Sequence, residues 1–163
     1  MKFFATLALL AATATAGPVT KTFSLQTTGA SNSSLNGLYL TTKSTGPLNS
    51  LAVFTGGASD AATFYLSNGT VRYQAENGAP WAIALVSEDD LPSLKDRKAP
   101  VEVSVSPTTG STGFGFASDG DLETSNKNWG GWLACTDDAL YYVNLAQTGS
   151  YTGCDKVELQ ASS

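Results

Sequence analysis

The 163-residue chain contains no histidine. That absence excludes Ser-His-Asp triads, Cys-His dyads and every histidine-ligated metal site. Fourteen Asp and Glu side chains remain. Glycoside hydrolysis needs two carboxyl groups roughly 5–9 Å apart across a cleft, and no spacing in the sequence singles out such a pair. A serine nucleophile would need another base, and no lysine stands at a recognised spacing from a serine. Asp119, Asp121 and Glu123 are spaced by two, so on a strand they would share one face and offer oxygens to calcium. Twelve-position counting from Asp119 reaches Gly130 rather than the Glu an EF-hand requires. The triplet is therefore expected to be a solvated hairpin, and neither a metal nor a cofactor is expected. Glu88-Asp89-Asp90, next to Leu91-Pro92, reads as an exposed acidic loop.

Two groups are more informative. Trp129, Trp132, Tyr141, Tyr142 and Tyr151 fall within 23 residues, and aromatic faces stack on sugar rings. Trp132 is expected in the core, and strand alternation turns either Tyr141 or Tyr142 inward. Trp129, beside Lys127, Asn128 and Gly130, is expected in a loop, which makes Trp129 and Tyr141 the candidate glycan contacts. The second group is the basic segment Leu91–Pro100, bounded by prolines and carrying Lys95, Arg97 and Lys98. A stiff exposed basic loop could enter a trypsin-like protease cleft. A solvated connection is the plainer expectation.

The elements that position these residues are short and β-rich, separated by Gly, Asn, Asp, Ser and Pro. Twelve strands are predicted: 23–26, 38–41, 51–55, 63–67, 70–74, 81–86, 101–105, 113–117, 121–124, 131–135, 140–145 and 156–160. Asn68-Gly69 is a strong two-residue hairpin signal because both residues accept the positive φ of a type I′ turn. Asp119-Gly120 marks a second hairpin. These two turns lie 51 positions apart, as do Val71 and Leu122, Asn77 and Asn128, and Trp81 and Trp132. Tryptophan is rare enough that this shared offset indicates an internal repeat. Three units of four strands follow, about 22–68, 69–119 and 120–160, the first matching least well. Three such units without helices predict an all-β chain folded as a β-trefoil, with a β-sandwich as the alternative.

Residues 1–16 read as a secretory signal peptide. Lys2 precedes an apolar run, and Ala14-Thr15-Ala16 gives a cleavage site between Ala16 and Gly17. A run of about ten apolar residues is too short to span a bilayer. The mature all-β domain is therefore expected over 17–163, released without a membrane anchor. In an oxidising compartment Cys135 and Cys154 have only each other to pair with. Asn32-Ser33-Ser34 and Asn68-Gly69-Thr70 are glycosylation sequons on Asn32 and Asn68. The formal net charge is −5, and losing Lys2 makes it −6. With no basic stripe, neither nucleic acid nor an anionic membrane is an expected partner.

Asn128-Trp129-Gly130-Gly131-Trp132-Leu133-Ala134-Cys135, then Gly153-Cys154-Asp155-Lys156-Val157-Glu158-Leu159, together with Phe64–Thr70, resembles small secreted proteins of filamentous ascomycete fungi that carry a domain of unknown function. More distantly, the chain is similar to a fungal cell-wall protein of phialide and conidium development. The resemblance implies a fungal source and an extracellular or wall-associated place, and it supplies no catalytic residues. The expected function is that of a non-catalytic secreted protein with cell-wall polysaccharide as its partner. The alternatives are a protease inhibitor or effector acting through the 91–100 loop, and a glycan hydrolase.

Overall fold

The computed structural model describes residues 21–86, 97–105 and 110–162. The leader, its cleavage site at Ala16 and Gly17, the acidic run 88–90 and Lys95 lie outside the described residues. Twelve strands occur among the described residues: β1 (Thr22–Thr28), β2 (Tyr39–Ser44), β3 (Asn49–Thr55), β4 (Phe64–Ser67), β5 (Thr70–Tyr73), β6 (Ala82–Leu85), β7 (Lys98–Ser104), β8 (Phe114–Phe116), β9 (Leu122–Thr124), β10 (Trp129–Cys135), β11 (Leu140–Asn144) and β12 (Cys154–Ser162). The only helical elements among them are two single 3-10 turns, Ser33–Leu35 and Ala58–Asp60. The chain is all-β, as its turn-punctuated pattern predicts.

Ten strands form one antiparallel sheet in the order β11-β10-β12-β1-β2-β3-β7-β6-β5-β4, with further pairings of β11 to β7 and of β1 to β4; β8 and β9 form a two-stranded ribbon. The first and last strands run side by side from Ser24↔Ser162 to Thr28↔Glu158. β7 pairs with three partners. Its first residues, Lys98 to Pro100, meet β11. Glu102 to Ser104 meet β3 on the same edge, and Val101 to Ser104 meet β6 on the other.

The turns obey their chemistry. Asn68 and Gly69 have φ of 51° and 72°, so β4 and β5 are joined by the two-residue turn the sequence calls for. Between β8 and β9 the loop inside the Ala117–Asp121 bond is one residue longer than that two-residue turn. Gly120 N–H donates to the Ala117 carbonyl at 3.0 Å, Ala117 N–H donates to Asp121 O at 2.9 Å, and Gly120 alone has positive φ, at 92°. This is a tight turn closed by a left-handed glycine, where a Cβ would cost about 1 kcal/mol.

Alternation fills the core. Leu25, Leu40, Phe64, Val71, Ile83, Val101, Val103, Leu122, Leu140 and Leu159 are buried in one cluster with Trp132 and Tyr142. Trp132 donates its indole N–H to the Leu122 carbonyl at 2.6 Å and stacks on Phe114. The opposite face of β10 and β11 makes a smaller cluster of Leu133, Cys135 and Val143, flanked by Tyr141, Tyr151 and Cys154. Cys135 and Cys154 form a disulfide between directly opposed residues of β10 and β12.

Strand ends shift from the sequence expectation by up to three residues, and two of the shifts bear on the residues singled out. β10 starts at Trp129, which pairs with Asn144 before a bulge that ends at Trp132; the glycines at 130 and 131 bend the strand instead of ending it. β7 starts at Lys98, not Val101. Pro100 is tolerated there because residue N–H and C=O groups point to the same side of an antiparallel strand. Its carbonyl accepts from Val86 N–H at 3.3 Å, just past the end of β6, so the missing N–H removes no ladder bond to β11.

Replacing both Cys135 and Cys154 with alanine removes a constraint on a loop with a sequence separation of 19, which the chain-entropy model values at about 3 kcal/mol. The urea midpoint should fall accordingly while the far-ultraviolet spectrum keeps its β signature. An unchanged midpoint would show that the small cluster holds β10 to β12 without the bond.

Candidate functional site

The segment Tyr73-Gln74-Ala75-Glu76-Asn77-Gly78-Ala79-Pro80-Trp81 joins β5 to β6 and carries aromatic, carboxylate and amide side chains together. Gly78 N–H donates to the Ala75 carbonyl at 3.0 Å, with Gly78 at φ 67°. The Asn77 side-chain oxygen accepts from Ala79 N–H at 3.0 Å, a local bond that fixes the turn. Tyr73 N–H then donates to the Trp81 carbonyl at 3.0 Å, and Arg72 braces the loop through the Pro80 carbonyl at 3.2 Å. The loop closes on itself and brings its two aromatic residues together.

Opposite stands the β2–β3 hairpin with Thr42, Ser44, Pro47 and Ser50; between the two lies a groove of about 440 Å³ whose other wall carries Tyr73, Glu76, Asn77 and Trp81. Both aromatic residues are half-buried and packed against the core. Flat apolar rings beside hydroxyl, amide and carboxylate groups suit a ligand with an apolar face and a polar rim, and a sugar ring is such a ligand. Glu76 is the one carboxylate among the described residues that line the groove, where glycoside hydrolysis needs two.

The 51-residue repeat explains why the groove is open. Gly78 N–H bonded to the Ala75 carbonyl corresponds to Trp129 N–H bonded to the Asn126 carbonyl, also at 3.0 Å. Trp81 corresponds to Trp132. In the third unit Trp129 packs edge-on against Trp132 with ring centroids 5.5 Å apart, and Trp132 is only 2% exposed. In the second unit glycine stands where Trp129 would be, and a Cβ built on it meets nothing within 4 Å.

The residues singled out in the sequence are distributed differently. Trp129 lies in β10 and is half-buried against the core. Its indole nitrogen is enclosed, without a hydrogen-bond partner among the described residues. Tyr142 is the inward tyrosine, donating to the Val86 carbonyl at 2.7 Å. Tyr141 faces the other way and meets Lys98, whose ammonium sits 4.8 Å from the ring centroid. This is a cation–π contact. Lys98 is therefore a sheet residue and not the tip of a loop, and the Arg97 carbonyl accepts from Asn144 N–H at 2.7 Å. Asp121 is buried while Asp119 and Glu123 are exposed, so the acidic triplet does not share one face. No group of three metal-ligating side chains occurs among the described residues.

Both sequon asparagines are exposed. Asn32 caps the first 3-10 turn by accepting from Ser34 N–H, and Asn68 sits at the tip of the β4–β5 hairpin. The sequence reading missed Tyr73 and Trp81 as a site. The available signal was the repeat, which aligns a glycine at 78 with a tryptophan at 129.

The chain matches a family described as a domain of unknown function, DUF7907, over residues 20–163. No curated protein and no solved structure matches it.

The Tyr141 phenol donates to Asp137 Oδ2 at 2.7 Å. Partial burial, then this hydrogen bond and the Asp137 charge, push its pKa from 10.0 up to about 12. The fold thus favours the neutral phenol. That stabilisation is complete below pH 10 and is lost as pH rises through about 12. The ultraviolet titration difference between the parent and Tyr141→Phe should show a step near 12, and Asp137→Asn should lower that step while burial keeps it above 10. A difference titration with its step at 10 would count against the contact with Asp137.

Proposed function

Because the chain belongs to the DUF7907 family, whose description assigns it no activity, its role rests on its own surfaces, and we propose a non-catalytic extracellular protein of the fungal cell wall or its surroundings that binds polysaccharide. The observation that carries this reading is the open groove with Tyr73 and Trp81 on one wall and the hydroxyls of Thr42, Ser44 and Ser50 on the other. A lone Glu76 in that groove and a sequence without histidine support binding over catalysis. The Cys135–Cys154 bridge supports an oxidising compartment, in keeping with the leader and with glycan on Asn32 or Asn68. Release without a membrane anchor belongs to the same reading.

The architecture we assign is the β-trefoil. Three hairpins, β2–β3, β6–β7 and β10–β11, support it by meeting pairwise through β3 with β7, β7 with β11, and the Val53↔Ala139 bridge. The remaining strands form the ring β1-β4-β5-β8-β9-β12. Its less regular joints repeat the same bond: the Gly69 carbonyl accepts from Phe114 N–H at 2.9 Å, and the Gly120 carbonyl, 51 positions on, accepts from Ala161 N–H at 3.4 Å.

Sedimentation with insoluble chitin and β-glucan tests the function. The secreted protein should be retained on at least one of them. Tyr73→Leu and Trp81→Leu keep apolar bulk against the core but remove a flat ring. Each should weaken retention about tenfold, equivalent to about 1.4 kcal/mol. Trp129→Ala and Tyr141→Ala should bind like the parent. A parent that stays in the supernatant with both polymers removes the proposal.

A further inference from the structure

The groove at Tyr73 and Trp81 does not stand alone. A second depression, of about 490 Å³, shares Tyr73, Ala75 and Glu76 with it and continues over Thr63 and Gln74. A third, of about 250 Å³, shares Ala61 and Thr63 with the second and runs on to Ser24 and Ser162. The shared residues make one track, from the β5–β6 loop to the seam where β1 meets β12. The geometry points to a site that takes an uncharged polysaccharide lengthwise over several sugar units. This rests on the polysaccharide reading above and adds the mode of binding and the charge class.

Three features carry the inference. The depressions are shallow, so each covers little of any one ring, and a small ligand in such a place loses translational freedom for few contacts. Units joined in one chain lose that freedom once, and each further unit binds at high effective concentration. A track built this way favours length. Second, its polar groups are neutral hydrogen-bonding side chains, among them Thr42, Ser44, Asn77, Thr63, Gln74 and Ser24. Hydroxyls and amides both donate and accept, as sugar hydroxyls do. Third, Glu76 is the only charged side chain among the described residues that line the three depressions. With no lysine or arginine there, a uronate or phosphate on the ligand finds no cation and is repelled by Glu76.

Calorimetric titration of the full secreted chain tests this with chitin and laminarin oligosaccharides of increasing length and with oligogalacturonate as the anionic probe. Affinity for at least one neutral series should rise at least tenfold from dimer to hexamer, and oligogalacturonate should not bind. Thr63 is exposed and lines both the second and third depressions. Thr63→Glu should remove most of the hexamer's advantage over the dimer. Ala61→Arg obstructs the same junction from the neighbouring position and should act alike. Equal affinity for dimer and hexamer overturns the track but leaves polysaccharide binding standing. Oligogalacturonate bound as tightly as the neutral series overturns the charge assignment. A chain that binds no oligosaccharide and sediments with neither polymer overturns both readings.

Discussion

The ladder between β1 and β12 is the constraint on which the rest of the fold depends. It joins residues more than a hundred positions apart, from Ser24↔Ser162 to Thr28↔Glu158, so chain entropy opposes it until the intervening strands are in place. Once formed, it leaves neither strand as an open edge. β1 also pairs with β4 through Phe23↔Phe64, and β12 pairs with β10. Leu25 and Leu159, one on each strand, are fully buried in the common core. The outer end of the proposed track is made of residues at this seam, Thr22, Phe23, Ser24 and Ser162. Fold closure and the proposed ligand surface therefore depend on the same pairing.

Much of this architecture was legible in the sequence, because its signals are local. All twelve strands were visible as alternation between turn residues, and Asn68-Gly69 specifies its turn through the φ angles that only a few residue types accept. The missed boundaries have non-local causes. Lys98-Ala99-Pro100 looks like a loop because a proline cannot feed a ladder; the strand exists because β11 supplies partners on the edge where no N–H of Pro100 is required. Trp129 looked exposed among polar and glycine neighbours. Its partial burial depends on Trp132, held by Leu122 and Phe114, contacts that the alternation of residue types does not specify. The cysteine pair was readable from its count alone, whereas its register between β10 and β12 was not.

The groove was illegible for a further reason. Its walls come from β2–β3, the β5–β6 loop and, farther along, the segment around Ala58 and Thr63, which are separate in sequence. What opens it is a contrast between repeats. The same turn carries Gly78 in one unit and Trp129 in another, so one unit leaves Trp81 half-exposed while the other encloses Trp132. Duplicated units commonly keep the buried skeleton and diverge where side chains reach solvent. Here the skeleton is Val71 and Leu122, buried at 0% and 1% exposure, and the divergence lies one turn away.

The antiparallel seam also has a mechanical consequence. The start of β1 and the end of β12 lie beside each other, so tension applied to the two would load the ladder one rung at a time. That geometry yields at low force, unlike a shear geometry in which all rungs resist together. The tear would travel back along β12 toward Cys154, and there it would stop. The sulfur link to Cys135 sits at the opposite end of the same strand, like a rivet at the end of a zipper. Under load the link would keep β10 attached to β12 and shield the segment between the two cysteines from the pull, while the strands before Cys135 would have only their ladders to resist it.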